Sequence, residues 1–358
     1  MTDNKRKNDS NSLIVVGDGN DSNGSVKKQK NELALRDTSA SSKEIILGTE
    51  RTSKLKSPIM QLTGHRGEVF SVKFNPFGTA LASGSFDKEI YLWNVYGDCI
   101  NYSVLKGHQG SILELHWDRE GIELFSVSSD KSVGLWDTVE GTLVKRIREH
   151  KKFVNSCCPA RRGPPLVATA SDDCTARLFD TRQRHSIETF THKFPVTAVA
   201  MSDSSDQVIT GCLDNVVRVF DLRTQREIMT LQGHNDSITG LAVSPDGSHL
   251  LSNSMDNSLK IWDIRPFAPP NRCTNTLTGA QHNFEKILLK CSWSPDGQRV
   301  SAGSSDGQVY VWDVSSSKIL YRLPGHTGSV NQVDFHPFEP IIASGSSDKT
   351  IFLGEIKP

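Results

Sequence analysis

Gly107–Asp137 reads GHQGSILELHWDREGIELFSVSSDKSVGLWD and is the unit that this chain repeats. The unit begins with Gly-His and ends with Trp-Asp, and three short apolar runs separated by turn residues lie between these ends. Asp130 follows His108 by 22 positions, and Trp136 follows Asp130 by 6. The rest of residues 58–358 can be aligned on these three marks.

Seven histidines occupy the first mark, at separations of 43, 42, 42, 42, 48 and 44 residues. They are His65, His108, His150, His192, His234, His282 and His326. The aspartates of the second mark are Asp87, Asp130, Asp173, Asp214, Asp256, Asp306 and Asp348. A period near 42 with Gly-His and Trp-Asp ends is typical of a propeller blade of four strands. Seven copies predict an all-β propeller with seven blades around a central channel.

The marks resemble those of WD-repeat proteins, in which the histidine, a Ser or Thr on the second strand, the aspartate and the tryptophan form one hydrogen-bonded chain. The resemblance places the hydroxyl at Ser83, Ser126, Thr169, Thr210, Ser252, Ala302 and Ser344. Repeats 1, 2 and 5 hold complete sets: His65, Ser83, Asp87 and Trp93; His108, Ser126, Asp130 and Trp136; His234, Ser252, Asp256 and Trp262. Repeats 3 and 4 have phenylalanine for tryptophan, repeat 6 lacks the hydroxyl, and repeat 7 has Gly354 at the ring position. A Ser-His-Asp set also suits a hydrolase, but its sevenfold repetition indicates architecture.

The two ends of the repeat region are expected to complete one blade together. Ile59–Leu62 precedes the first Gly-His and matches the outer strands of later repeats, whereas the last repeat stops after its third strand, at Ile351–Ile356. An open sheet edge promotes aggregation, so a ring of sheets must be closed. We therefore expect residues 59–62 to pair with the last strand and complete the seventh blade.

Composition limits the class of protein. The 358 residues carry 41 Lys/Arg and 41 Asp/Glu, so no overall attraction to nucleic acid or membrane is expected. Seven scattered cysteines form no C-x-x-C pair, which indicates a reducing compartment and no zinc site. No apolar run approaches the roughly 20 residues of a membrane span, and no phosphate-binding glycine loop or unique nucleophile with a base indicates an enzyme. No cofactor is expected.

Residues 1–57 are rich in Asn, Ser, Asp, Gly and Lys and are predicted to be a disordered, polar and basic tail, followed by the propeller at 58–358. The tail holds 11 basic and 8 acidic residues, which leaves 30 and 33 for the propeller. Lys5-Arg6-Lys7 and Lys27-Lys28-Gln29-Lys30 could serve nuclear import. A solvated tail without such a role is the alternative.

The stretches that depart from the repeat pattern carry a closer resemblance. NVYGDC at 94–99, CCPARRGPP at 157–165, WDIRPFAPP at 262–270, HNFEKILLKCSWSPDG at 282–297 and LYRLPGHTGSVNQVDFHP at 320–337 are similar to the WD-repeat subunit of the spliceosomal U5 small nuclear ribonucleoprotein. This resemblance implies a nuclear, non-catalytic scaffold of the U5 particle and the tri-snRNP in pre-mRNA splicing, monomeric within the larger assembly. Its partners would be other spliceosomal proteins, chiefly the particle's large scaffold protein and a helicase. RNA contact would be secondary, because the propeller is slightly acidic and its sequence shows no basic stripe with interleaved aromatics.

The WD-repeat resemblance also implies which positions contact partners: three and five residues after each histidine and one before each aspartate. In this chain they include Glu68, Phe70, Phe86, Leu113, Phe153, Asn155, Asp172, Leu213 and Met255, with Ile287 and Leu289 in repeat 6 after a two-residue insertion. Arg161 and Arg162 in the third repeat are a second candidate, as a basic contact for an acidic partner.

A different class of function is a substrate receptor of a cullin–RING ubiquitin ligase. Such receptors often carry Trp-Asp-x-Arg at a blade end, and Trp262–Arg265 matches this pattern. Arg265 would then contact the ligase adaptor. The motif is short and overlaps the structural end of the repeat, so its specificity is low.

Overall fold

The computed structural model describes residues 51–356, which form 28 strands in seven four-stranded antiparallel sheets. The first strand of the chain is β1 (Ile59–Thr63). Blade 1 consists of β2 (Val69–Phe74), β3 (Ala80–Ser85), β4 (Glu89–Asn94) and β5 (Asn101–Lys106). Blade 2 consists of β6 (Ile112–Trp117), β7 (Glu123–Ser128), β8 (Val133–Asp137) and β9 (Thr142–Ile147). Blade 3 consists of β10 (Val154–Pro159), β11 (Leu166–Ser171), β12 (Thr175–Asp180) and β13 (Ser186–Thr191). Blades 4 and 5 are β14 (Val196–Met201), β15 (Gln207–Cys212), β16 (Val217–Asp221) and β17 (Arg226–Leu231); β18 (Ile238–Val243), β19 (His249–Ser254), β20 (Ser258–Asp263) and β21 (Cys273–Thr278). Blades 6 and 7 are β22 (Cys291–Trp293), β23 (Arg299–Gly303), β24 (Val309–Asp313) and β25 (Ile319–Leu323); β26 (Val330–Phe335), β27 (Ile341–Ser346) and β28 (Thr350–Glu355) with β1. The all-β, seven-bladed propeller predicted from the repeat is confirmed.

The apolar core lies between the blades, because each sheet is covered on both faces by its neighbours. One buried cluster joins Ile90 and Leu92 of blade 1 to Ile112 and Leu115 of blade 2, and six similar clusters occupy the described chain. The second strands are rich in small residues, and every residue of β3 is buried. A Cβ on Gly84 would lie 2.6 Å from the Ile112 side chain, so glycine at this position lets adjacent sheets approach.

A repeated polar contact links the innermost strands of neighbouring blades. A side chain six residues after the repeat histidine accepts a hydrogen bond, at 2.9–3.2 Å, from a backbone N–H of the next blade. The acceptors are Ser71, Glu114, Ser156 and Gln332. These contacts satisfy N–H groups at the central channel that would otherwise be buried without a partner. Ala198 and Gly240 hold the same position in blades 4 and 5 and have no side-chain acceptor.

β1 supplies the fourth strand of blade 7. Its register on β28 runs from Ile59 opposite Gly354 to Thr63 opposite Thr350, and Leu62 is buried. The sequence predicts the same pairing, of residues 59–62 with the last strand of blade 7. The ring is therefore closed by residues nearly 300 positions apart in the chain.

The start of the packed region differs from the boundary predicted at residue 58. Leu55 is buried in a parallel bridge with Gly97, and the Glu355 carboxylate accepts hydrogen bonds from the backbone N–H and the hydroxyl of Thr52, both at 2.7 Å. Lys54 and Arg51 form ion pairs with blade 7. Composition averaged over 57 residues obscured this short packed segment. Residues 1–50, with both basic clusters, lie outside the described residues.

Deleting residues 1–63 should lower the Tm by about 5 °C or more, because the deletion removes β1 and its buried Leu62. The matched control is deletion of residues 1–50, which keeps β1 and the packed segment. Differential scanning calorimetry of both proteins measures the difference. Equal melting temperatures for the two deletions would contradict this role of β1.

Candidate interaction surface and the histidine clasps

The histidine, hydroxyl, aspartate and tryptophan of blades 1, 2 and 5 form a clasp between strands. In blade 2, His108 Nδ1 lies 2.9 Å from Asp130 Oδ2, and His108 Nε2 lies 2.6 Å from Ser126 Oγ. The Trp136 indole N–H donates to the same hydroxyl at 2.7 Å. A carboxylate only accepts, so Nδ1 carries the proton and Nε2 accepts from the hydroxyl. Blades 1 and 5 repeat these contacts within 0.1 Å, using His65, Ser83, Asp87 and Trp93, and His234, Ser252, Asp256 and Trp262.

The carboxylates of the clasps are held in their charged form. Burial alone would raise the pKa of Asp87, but hydrogen bonds from His65 and from the Glu89 and Arg66 backbone lower it to about 2. The same causes, with an added hydroxyl donor, lower the pKa of Asp130 further. Each carboxylate accepts bonds from the turn as well as from the imidazole. The clasp thus fixes the loop before the first strand to the turn after the second.

Blades 3 and 7 form the clasp without an indole. His150 contacts Asp173 at 3.0 Å and Thr169 Oγ1 at 2.8 Å, and Phe179 lies edge-on to the imidazole. In blade 7 the corresponding bonds from His326 reach Asp348 and Ser344, both at 2.9 Å. The hydrogen bonds among the carboxylate, the imidazole and the hydroxyl are therefore sufficient to form the clasp without the indole.

The clasp expected in blade 4 is not formed. The Asp214 carboxylate instead pairs with the Arg218 guanidinium at 2.6 Å, a charge-assisted contact. His192 Nδ1 contacts Cys212 Sγ at 3.5 Å, and its buried Nε2 has no partner. Burial lowers the pKa of His192 to about 4.

Blade 6 shows that His282 does not occupy the clasp position. Gly279 has φ +133°, close to the +152° of the Gly233 that precedes His234, and the buried Ala280 follows it. Ala280 therefore stands where other blades have histidine. His282 lies further along the loop, with Nε2 3.4 Å from Asn253 Oδ1 of blade 5. The sequence alignment on His282 was wrong because the extra residues follow Ala280.

The candidate contact residues fall on two opposite rims. In an antiparallel blade the loop before the first strand and the turn after the second lie at one end; we call this end, with the repeat histidines, the histidine rim. Phe86 (59% exposed), Phe153 (50%) and Leu213 (39%) lie there, with the partly buried Phe70 and Met255. Arg161, Arg162 and Arg265 belong to loops at the other end, the loop rim.

Leu289 is a correction to the predicted contact set. It is only 2% exposed and packs in the core, and Asn155, at the corresponding position of blade 3, is also buried. The position five residues after the histidine is buried in most blades, and only Phe70 and Leu113 of the predicted set stay partly exposed there. Ile287 is partly buried as well.

The arginines of the loop rim make contacts within the propeller. Arg161 donates to the backbone carbonyls of Val243 and Ser244 at 2.9 and 3.0 Å, and so joins blade 3 to blade 5. Arg162 forms an ion pair with Asp203 at 2.8 Å. These contacts give both arginines a structural role that the sequence did not indicate.

Arg265 binds the carboxylate of Asp263 through Nε and Nη2. Arg182 makes the same bidentate contact with Asp180 in blade 3. The Asp-x-Arg ending thus closes a turn in two blades. This role within the blade accounts for the motif without a ligase adaptor.

A charged side chain that the sequence did not single out crosses the central channel. Lys290 of blade 6 is buried, and its Nζ lies 3.6 Å from Glu114 of blade 2 and 3.4 Å from the Asn155 carbonyl oxygen of blade 3. Burial would raise the pKa of Glu114, but Lys290 and His116 lower it to about 2. Lys290 stands eight residues after His282 and corresponds to the side chains that accept the hydrogen bonds between blades, such as Glu114. Only this alignment of the first strands could have indicated Lys290 from the sequence.

Two exposed phenylalanines of the histidine rim were also absent from the predicted set. Phe194 is 49% exposed, and Phe284 is almost fully exposed. Phe194 lies one position before the expected contact position and Phe284 lies three positions before Ile287, so the rule based on spacing from histidine missed them. The described residues 51–356 contain no group of three or more His, Cys, Asp or Glu arranged to hold a metal, and no helix long and apolar enough to span a membrane.

Seven segments match the family model described as WD domain, G-beta repeat. They are residues 56–94, 99–137, 141–180, 184–221, 225–263, 271–313 and 317–353. Each segment spans the outer strand of one blade and the first three strands of the next, and the seven together cover the ring, so the chain is a WD-repeat β-propeller protein.

Longer matches identify the family within this class. The chain is 62% identical over 357 residues to the U5 small nuclear ribonucleoprotein 40 kDa protein of Dictyostelium discoideum, covering 99% of this chain and 100% of that protein. It is 55% identical over 310 residues to the human protein of the same name, covering 87% of each. Pre-mRNA-splicing factor cwf17 of Schizosaccharomyces pombe is 43% identical over 307 residues, covering 86% of this chain and 90% of that protein. The chain belongs to the family of the U5 small nuclear ribonucleoprotein 40 kDa protein. These relatives do not favour the ubiquitin-ligase alternative.

Replacing a clasp hydroxyl should destabilise the propeller only where a histidine depends on it. Thr169→Val removes the hydroxyl bonded to the buried His150 Nε2 and should cost about 1–3 kcal/mol. Thr210→Val is the matched control, because no histidine contacts the Thr210 hydroxyl, whose bond to the Arg218 carbonyl is long at 3.5 Å. Urea unfolding midpoints measure both. Equal losses from the two substitutions would contradict the assigned role of the clasp.

The two histidines without a clasp should make the propeller sensitive to mild acid. Burial lowers the pKa of His282 to about 4, whereas an imidazole in an unfolded chain titrates near 6.5. Between these values the unfolded state binds more protons, so stability falls as pH falls through this window. His282→Gln should reduce the loss of urea midpoint between about pH 7 and about pH 5. The exposed His185→Gln is the control, and an unchanged loss in His282→Gln would count against the assignment.

Proposed function

We propose that this chain is a non-enzymatic protein-interaction scaffold of the spliceosome, a component of the U5 snRNP and the U4/U6.U5 tri-snRNP that acts in pre-mRNA splicing in the nucleus. The observation that carries the proposal is the likeness along nearly the whole chain to proteins named for U5 and for pre-mRNA splicing. The geometry supports a binding role. Five clasps fix the loops of the histidine rim, and apolar side chains protrude from those loops.

The clasps themselves support architecture over catalysis. The same His–Asp pair occurs in five blades, with its imidazole almost completely buried. A nucleophile and base that repeat around a ring, shielded from solvent, do not form a unique reaction centre. The propeller therefore acts through what it binds.

The chief partner that we propose is the large scaffold protein of U5, with the U5 helicase as a second. The candidate partner contacts on the histidine rim remain Phe70, Phe86, Phe153, Leu213 and Met255, and of these we propose Leu213 and Met255 for the scaffold protein. Leu213 and Met255 stand on neighbouring turns of blades 4 and 5, because the Ser237 hydroxyl donates to the Leu213 carbonyl and the Ser237 carbonyl accepts from the Met255 backbone N–H; we propose these two side chains as one apolar patch, the Leu213–Met255 patch. Exposed apolar patches on a rigid fold commonly mark protein interfaces.

Affinity purification of the full chain under mild salt, with RNA sequencing and mass spectrometry of the bound material, tests the assignment to U5. U5 RNA should be enriched over the other small nuclear RNAs, together with the large scaffold protein. Recovery of a cullin adaptor without U5 RNA would refute the proposal.

The protein contact is tested by Leu213→Asp combined with Met255→Asp. After ribonuclease treatment, this variant should recover the scaffold protein at about a tenth of the wild-type level or less, since a charge in an apolar interface is costly. Val139→Asp combined with Phe267→Asp is the matched control on the loop rim, where both side chains are exposed. If the Leu213→Asp, Met255→Asp variant recovered as much scaffold protein as the wild type does, the Leu213–Met255 patch would be refuted as the contact.

A further inference from the structure

The histidine rim is divided by charge. Blades 7 and 1 to 4 present seven exposed basic side chains that stand one or two residues after a repeat histidine or aspartate. They are Arg66, Lys88, Lys131, Lys151, Lys152, Lys193 and Lys349. The histidine-rim loops of blades 5 and 6 present Asp236, Glu285 and Asp306 with a single lysine, Lys286. The basic arc is defined as those seven residues.

The cations of the basic arc are available for a ligand. None of the seven takes part in an ion pair among the described residues. The clasp aspartates beneath them are recessed, with 5–10% of each side chain exposed, and they are already hydrogen-bonded. Asp172 accepts a hydrogen bond from Asn155 at 2.6 Å. The ends of the lysines therefore form the outer surface of this arc.

Exposed phenylalanine rings alternate with these cations. Phe153 directly follows Lys152, Phe194 directly follows Lys193, and Phe86 lies two residues before Lys88. About half or more of each ring is exposed.

The loops that hold the rings are fixed before any ligand arrives. The Phe86 backbone N–H donates to the Glu68 carbonyl at 2.8 Å, and the Phe153 carbonyl accepts from Asp172 at 3.0 Å. Phe70 supports Phe86 edge-on, with ring centroids 6.4 Å apart. Rings held in place lose little conformational freedom on binding.

We infer that the basic arc and its phenylalanines bind single-stranded RNA. Alternating cations and aromatic faces match the chemistry of a single strand, in which the lysines contact phosphates and the rings stack on bases. Protein interfaces, by contrast, are depleted in lysine, so seven protruding cations around the rings fit a protein partner poorly. The inference deepens the proposed function, on which it rests, by assigning RNA to blades 7 and 1 to 4 and leaving the Leu213–Met255 patch to protein.

The inference departs from the sequence expectation that RNA contact is secondary, which rested on the lack of a basic stripe with interleaved aromatics along the chain. The residues of the basic arc come from five repeats and are brought to one rim only by ring closure. Along the chain they are single lysines or pairs separated by about 40 residues.

Fluorescence anisotropy of the purified full chain with a fluorescein-labelled uridine 12-mer tests the inference. Binding should weaken as salt rises from about 50 to about 200 mM, because phosphate contacts release counterions. Lys152→Glu combined with Lys193→Glu should reduce the salt slope by about 1.4, which corresponds to two lost phosphate contacts on a single strand. Arg223→Glu combined with Arg226→Glu, on exposed residues toward the loop rim, is the control with the same change of charge and should bind like wild type.

The rings are tested by Phe153→Ser combined with Phe194→Ser, which should weaken binding about tenfold for each lost stack. Phe153→Trp combined with Phe194→Trp keeps a stacking face and should retain wild-type affinity. Urea midpoints of all variants show that they are folded.

Absence of binding to the uridine 12-mer by the wild-type chain at about 50 mM salt would overturn the inference. Equal weakening of RNA binding by the Lys152→Glu, Lys193→Glu variant and by the Arg223→Glu, Arg226→Glu control would overturn it as well. An aspartate-rich 12-residue peptide that binds as tightly as the RNA, with no effect of the serine substitutions, would assign the arc to an acidic protein instead. The anisotropy assay contains only the purified chain and the RNA or peptide. A failure of this inference therefore does not change the result of the co-purification test of the scaffold role.

Discussion

A buried imidazole shared between a carboxylate and a hydroxyl is the interaction on which the rest of the ring depends. It connects the loop entering a blade to the turn between the second and third strands, so the position of one rim is set by five nearly identical bonds. The pKa of the carboxylate stays low, and the group stays charged, because the histidine and then nearby backbone N–H groups donate hydrogen bonds to it. Loops held in this way can present large side chains to solvent without collapsing onto the sheet.

The departures from the repeated contacts fall in blades 4 to 6, although blade 5 keeps its clasp. Blades 4 and 6 lack the clasp, and blades 4 and 5 also lack the side-chain acceptor between innermost strands. Other contacts join this arc to the rest: Lys290 extends across the channel from blade 6, and Arg161 extends from blade 3 to blade 5. Blades 7 and 1 to 3 therefore hold both repeated contacts, whereas blades 4 to 6 lack one or both and are joined to the rest by individual long-range contacts.

The sequence predicted those parts of the structure that depend on spacing within one repeat. The blade count, the strands and the complete clasps of blades 1, 2 and 5 follow from marks 22 and 6 residues apart. Contacts between repeats were not predictable in this way. The partner of Lys290 lies in blade 2, and the true equivalent of the histidine in blade 6 is an alanine that carries no motif. Leu289 and the basic arc show the same limit, because burial and proximity are set by the closed ring.

Ring closure by β1 has a consequence for biosynthesis. Ile59–Thr63 leaves the ribosome before any blade, yet its hydrogen-bonding partner Thr350–Glu355 is translated after all the other strands. During that interval β1 and the inner face of blade 1 have no native neighbour on that side, and unpaired strands of this kind aggregate readily. The nascent chain therefore carries an unpaired strand, which is prone to aggregation, for nearly the whole of its synthesis.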